Sequence, residues 1–171
     1  MKKIFFAFLL LACLPALAQR QMERTAQFTI SGWVSHPLTV TIAEIKALPQ
    51  MPIGDITIRN QKGEEKRTVK DARGVLLKQF IEKAAVNAGD KPKELNAVYF
   101  VLTASDGYIN VYSWNELFNN DLGNHVYIVT SEDGKSADDM DDSILVVSST
   151  DTNPGRRHLK CLSKIDVKKA Q

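Results

Sequence analysis

The chain is short of cysteine, of histidine and of net charge, and each shortage removes a class of function. Of its 171 residues only Cys13 and Cys161 are cysteine. The first lies in the leader segment described below; if that segment is cleaved after Ala18, one thiol remains and no internal disulfide or Cys-x-x-Cys pair is expected. The three histidines, His36, His125 and His158, lie far apart and lack the i, i+4 or paired spacing of zinc sites. Lys and Arg number 22 against 20 Asp and Glu, a near-balance that leaves no footprint for nucleic acid or anionic lipid. Gly-x-Ser-x-Gly elbows, Gly-rich phosphate loops, repeats and low-complexity tracts are all missing. An acidic run from Glu132 to Asp142 lacks the alternating spacing and distal glutamate of a calcium loop and reads as a solvated loop.

A long apolar run occurs only at the N-terminus. Lys2 and Lys3 precede Ile4 to Leu14, and Ala16-Leu17-Ala18 forms a small-x-small cleavage pattern. Residues 1–18 therefore read as a signal peptide, too short for a membrane-spanning helix of ~20 apolar residues. The chain is expected to be periplasmic or secreted. An alternative is open, because Leu10-Leu11-Ala12-Cys13 resembles a bacterial lipobox and would leave a lipoprotein anchored through Cys13. The apolar residues continuing to Ala18 favour ordinary cleavage. Loss of Lys2 and Lys3 brings the charges into balance, and the remaining length suits one domain with its own core.

Residues 19–26 are polar and read as a flexible lead-in, and residues 27–171 as the domain. Phe28 to Val34 alternates as a half-buried strand, and Pro37 to Val40 forms a second. Thr41-Ile42-Ala43-Glu44 and Ser113-Trp114-Asn115-Glu116 have capping-box spacing and predict two short helices. Ile56–Ile58 and Arg67–Val69 flank Gln61-Lys62-Gly63-Glu64 as a hairpin. Leu76, Leu77, Phe80, Ile81, Ala84 and Ala85 recur at three- and four-residue steps, predicting a helix over Gly74–Val86. Ala97–Ala104 is almost continuously apolar and predicts a central strand buried on both faces, with Tyr108–Tyr112 its hairpin partner across Asp106-Gly107. Strands are also predicted at Val126–Thr130, Ile144–Val147 and Leu159–Val167. The fold class is α+β, with mixed, mostly antiparallel sheets and two or three short helices.

The most informative stretch follows Asn153-Pro154-Gly155, where Arg156, Arg157, His158 and Lys160 gather three fixed charges and an imidazole beside a tight turn. Guanidinium forks and an ammonium suit an anion. The competing reading is a solvated edge strand whose basic side chains discourage edge pairing. Cys161, in apolar alternation, reads as an ordinary small buried side chain.

Five segments in order carry a family resemblance. Ile30-Ser31-Gly32-Trp33-Val34 followed by Pro37-Leu38-Thr39-Val40-Thr41, then Gly74-Val75-Leu76-Leu77, Ser105-Asp106-Gly107-Tyr108 and Arg157-His158-Leu159-Lys160-Cys161 resemble successive motifs of the molybdopterin-binding domain of the sulfite oxidase family. The resemblance implies that family's fold, a molybdopterin cofactor and oxidoreductase-like ancestry. It implies cofactor contacts at Arg157 and Lys160, with Arg156, His158, Arg59 and Asn60 beside them. The family's molybdenum-ligating cysteine has no counterpart between Ile56 and Lys70, where Arg59, Asn60 and Lys62 stand instead. Ala72 and Cys161 replace two of its aromatic residues. A thiolate is the soft donor such a metal needs, so the sequence argues for a molybdopterin-like ligand and against ligated molybdenum. No catalytic residue and no metal ligand is assigned. The expected protein binds a pterin or other anionic small molecule, or is a degenerate, non-catalytic version. The alternative is a protein–protein interaction module that reuses the fold with a redox or other periplasmic partner.

Overall fold

The computed structural model describes residues 21–60, 62–89 and 91–171. The expected signal peptide (residues 1–18), with Cys13, and Gln61 of the hairpin turn lie outside the described residues. In chain order the elements are β1 (Gln27–Gly32), β2 (Leu38–Thr41), α1 (Ile42–Lys46), β3 (Met51–Arg59), β4 (Glu65–Leu76), α2 (Leu77–Ala84), β5 (Val98–Ala104), β6 (Ile109–Ser113), α3 (Trp114–Phe118), β7 (Val126–Glu132), β8 (Lys135–Ser136), β9 (Val146–Ser148) and β10 (Leu162–Lys169). Short 3₁₀ turns occupy Pro92–Ala97, Asp121–Asn124 and Pro154–Arg156. The result is an α+β fold built mainly from antiparallel strands, with few, short helices.

One sheet runs β2-β1-β10-β5-β6 and the other β3-β4-β7-β8, with β9 also on β7. Every pairing is antiparallel except β1 with β10, where Thr29 faces Lys164 and Gly32 faces Val167. Gly32 takes φ +95°, and a Cβ there would sit 2.2 Å from the Val167 carbonyl oxygen, so only glycine lets the first and last strands approach this closely. The main core lies between the sheets and α2, around Phe28, Phe80, Phe100 and Tyr112. A second cluster, including Ile56, Val69, Tyr127 and Leu145, packs on the other face of the second sheet.

Both capping boxes form. Thr41 and Ser113 cap α1 and α3, each accepting from the N3 backbone of Glu44 or Glu116, whose carboxylate returns to the cap nitrogen. The predicted hairpin pairs Ile56 with Val69 and Thr57 with Thr68.

Four expectations need correction. The helix begins at Leu77, because Gly74, Val75 and Leu76 finish β4 opposite Val129, Ile128 and Tyr127 of β7. A Cβ on Gly74 would lie 2.5 Å from the Ile128 carbonyl oxygen, so this glycine serves strand packing and not helix initiation. β5 is buried on one face only: Tyr99, Val101 and Thr103 are half-buried and share the outer face with Ile109 and Val111 of β6. The last strand starts at Leu162, since Leu159 bridges back to Val146 and Cys161 turns the chain with φ +52°. Residues 156–160 are thus neither a strand nor a solvated edge. Finally, Glu23 to Thr25 do not trail loosely. The Glu23 N–H donates to Ser105 Oγ (2.9 Å), Arg24 donates to the Met140 and Ala137 carbonyls, and Thr25 exchanges hydrogen bonds with Ser143 and Ile144.

Substitution Gly74→Ala should destabilise the fold by roughly 1–3 kcal/mol, the range for overpacking a close-packed site. The urea midpoint would fall with the slope unchanged. An unaltered midpoint would show that β4 and β7 are not held this close.

Candidate ligand-binding site

The segment Pro154–Lys160 reaches its position by three contacts. Gly155 lies against the end of β3, where an added Cβ would meet the Arg59 carbonyl oxygen at 2.3 Å. Tyr108 Oη donates to the Arg156 carbonyl (2.7 Å), tying the segment to the turn before β6. Leu159 exchanges both backbone hydrogen bonds with Val146 of β9.

Side chains of the basic cluster then diverge. Arg157 stacks over the Tyr112 ring, 4.8 Å from its centroid, and its Nη2 and Nε lie 3.3 Å from Glu116 Oε1 and Asp151 Oδ2. Lys160 turns the other way, to Asp142 at 3.2 Å. Asp142 is nearly buried and also lies 3.9 Å from Arg67, which donates to Glu132 at 2.8 Å. Arg156 is exposed. Arg59 and Asn60 serve their own hairpin: Asn60 Oδ1 accepts from the N–H groups of Lys62 and Glu64, and Arg59 reaches the Gly63 carbonyl. The structure therefore places Arg59 behind Gly155 but does not gather the six predicted residues around one point. A single anion pocket does not form, because Arg157 and Lys160 are each balanced by internal carboxylates.

Around His158 and Lys160 the surface is concave. Met22, Asp106, Tyr108, Gly155, His158 and Lys160 line a cleft of about 240 Å³. A neighbouring compartment of about 230 Å³ includes Arg67, Glu132, Asp141 and Asp142 and shares Met22 and Lys160 with the first. Joined at those two residues, they approach the size of a small-molecule site. Asp106 accepts from the Tyr108 N–H (2.8 Å), which fixes the turn, and the Tyr108 ring is 46% exposed.

Burial, and then the Lys160 ammonium, pushes the His158 pKa down to about 4, so the imidazole is neutral at pH 7. Its Nε2 is buried with no partner among the described residues. Burial likewise raises the Glu132 carboxyl above its ordinary range, against the opposing pull of Arg67. Cys161 is buried, its Sγ 3.7 Å from the Asp141 carbonyl, and burial raises its thiol pKa. That thiol is protonated and turned inward, so the donor set around the cleft does not fit a thiolate-held metal. Among the described residues no three His, Cys, Asp or Glu side chains converge as metal ligands, and no helix is long and apolar enough to cross a membrane.

The residues that sequence reasoning missed are the carboxylates. Asp142 and Glu132, assigned to a solvated acidic loop, are buried and hold Arg67 and Lys160, whereas Asp133, Asp138, Asp139 and Asp141 are exposed. Glu116 carried a visible signal as the capping-box glutamate, but its second role toward Arg157 did not.

No family model and no curated protein matches the chain. Among solved structures it is similar to the sulfane dehydrogenase SoxCD from Paracoccus pantotrophus, with a TM-score of 0.60 and 13% identity. The match covers 82% of this chain and 37% of that one, so the chain spans little more than a third of the neighbour's length. The likeness is one of fold and agrees with the architecture that the sequence resemblance implied.

Because the folded-state pKa of His158 lies below the unfolded value near 6.5, protonation favours the unfolded chain. Its contribution is intact above about pH 6.5 and is lost progressively as the pH falls toward 4. In His158→Gln, the acid limb of a stability–pH curve should flatten over this window relative to wild type. Parallel curves would mean the imidazole is not shielded.

Proposed function

We propose that the protein is an exported, metal-free binding protein for a pterin-like heterocycle, seated in the cleft between the Ser105–Tyr108 turn and residues 155–160. The observation that carries this reading is the cleft's composition: an exposed aromatic ring, a carboxylate, a neutral imidazole and an ammonium on one concave surface. A pterin is flat, and its amino group and ring N–H form a donor edge beside a carbonyl. Tyr108 offers a face for stacking, Asp106 an acceptor for the donor edge, and Lys160 a charged donor for the carbonyl. His158 supplies a polar wall without adding charge.

Arg157 has a different part here from the one the family resemblance implied. Held by Glu116, Asp151 and the Tyr112 ring, it braces the segment that carries His158 and Lys160. The carboxylates beside Lys160 and Arg67 make the second compartment unfavourable for a strongly anionic group. The dehydrogenase activity for which the structural neighbour is named is not part of this proposal, since no described residue offers a thiolate for molybdenum at the cleft. A second reading, a protein-interaction module, draws on Ile109 and Val111, which are 54% and 51% exposed on the edge strand β6.

Titration of purified protein with pterin, followed by quenching of pterin fluorescence, should saturate at one site. Lys160→Ala and Tyr108→Ala should each weaken it about tenfold, the usual value of one charge-assisted or stacking contact. Protein purified from a host that makes the molybdenum cofactor should carry pterin without stoichiometric molybdenum. Non-saturating quenching, or equal affinity in both variants, would discard this reading in favour of the interaction module.

A further inference from the structure

A separate cavity lies along the exposed margin of the second sheet. It measures about 460 Å³, within the range of small-molecule sites, and opens over β4, β7 and β8. Pairing sets its floor: Arg73 lies opposite Ser131, and Ser131 opposite Ser136, so a guanidinium and two hydroxyls form one cross-strand row. Asp71, two residues before Arg73, lines the same cavity.

Charge compensation separates this cavity from the 156–160 segment. Arg157 and Lys160 are engaged by carboxylates, but Arg73 makes no ion pair among the described residues. One of its terminal nitrogens donates to the Gln50 carbonyl (3.1 Å), which orients the guanidinium and leaves most of its five donors uncommitted. Lys135, on the rim, is also without an ion pair among the described residues, whereas Lys46 is matched by Asp138. Ser131 and Ser136 each bring a hydroxyl. Asp71 supplies the one carboxylate among the described residues that line the cavity, held on a backbone with φ +49°.

A fork-shaped cation, two hydroxyls and one carboxylate on a common wall do not suit a simple inorganic anion, which Asp71 would repel. They suit a ligand with a carboxylate at one end and a hydrogen-bond donor nearby. We propose that this cavity is a second binding site, for small organic acids bearing a hydroxyl or ammonium group. Arg73 takes the carboxylate in a bidentate fork, Ser131 and Ser136 take its outer lone pairs, and Asp71 accepts from the donor. The site shares no lining residue with the cleft beside Tyr108 and His158, and only Lys135, on its rim, also lines the compartment next to that cleft.

Calorimetric titration of the full mature chain tests this with D-gluconate for the hydroxyl arm and L-glutamine for the ammonium arm, against acetate and glucose as controls lacking one of the two groups. At least one of the acids should bind saturably, and more tightly than either control. Arg73→Gln should raise its Kd about tenfold or more, and Ser131→Ala, a milder change, about threefold. Asp71→Asn, which suits the left-handed backbone, should weaken the ammonium ligand more than the hydroxyl ligand. Pterin binding should be unchanged in all three variants, which also reports that they are folded. Absence of saturable binding by both acids, or a Kd unmoved by Arg73→Gln with pterin binding intact, would overturn the proposal.

Discussion

The parallel pairing of β1 with β10 brings the two ends of the domain together, and the cleft depends on that juncture. Once Gly32 lets β1 lie against Val167, the chain just before β1 must cross the top of the same sheet, where Glu23 meets Ser105 and Thr25 meets Ser143. The segment just before β10 must descend beside it. Met22, the Ser105–Tyr108 turn and residues 155–160 therefore converge, although they are far apart in sequence. Each is short and irregular, and each is held by hydrogen bonds to a neighbour, because an isolated loop of this composition cannot offset its own ordering entropy.

Electrostatics around the cleft follow from burial. Arg157 and Lys160 are partly withdrawn from water, which carries a desolvation cost unless opposite charge is at hand. Glu116, Asp151 and Asp142 supply that charge from α3, the loop after β9 and the loop before it. The consequence for function is direct: cations whose charge the protein balances offer little net attraction to a phosphate, whereas a flat neutral ligand needs only directional hydrogen bonds and a stacking face. Arg73, on β4 of the second sheet, has no such carboxylate among the described residues and keeps its capacity for an external one.

Much of the fold was legible because its signals are local. Thr41 with Glu44 and Ser113 with Glu116 satisfy each other within one helical turn, so the pattern alone is sufficient. The hairpin at Lys62-Gly63 is equally local. The failures share a cause in non-local packing. Gly74, Val75 and Leu76 fit the helical period of the residues after them, but β7 offers their backbone a ladder and Gly74 permits its close approach. Leu159 alternates with the residues of β10 yet pairs with Val146 instead.

The same division holds for the sites. Residue chemistry alone shows that the stretch from Ile56 to Lys70 holds no thiol, since a missing atom type cannot be supplied by folding. The importance of the 153–160 stretch is also readable there, because glycine, proline and clustered cations have narrow structural uses. Which cations remain free, however, depends on carboxylates distant in the chain: Asp142 lies 18 residues before Lys160, Glu116 lies 41 before Arg157, and both approach within 4 Å. Coulomb attraction and desolvation act through space and not along the chain. Only the folded arrangement could therefore turn a run of basic residues into two neutralised struts and leave Arg73, in an unremarked strand, without an ion pair among the described residues.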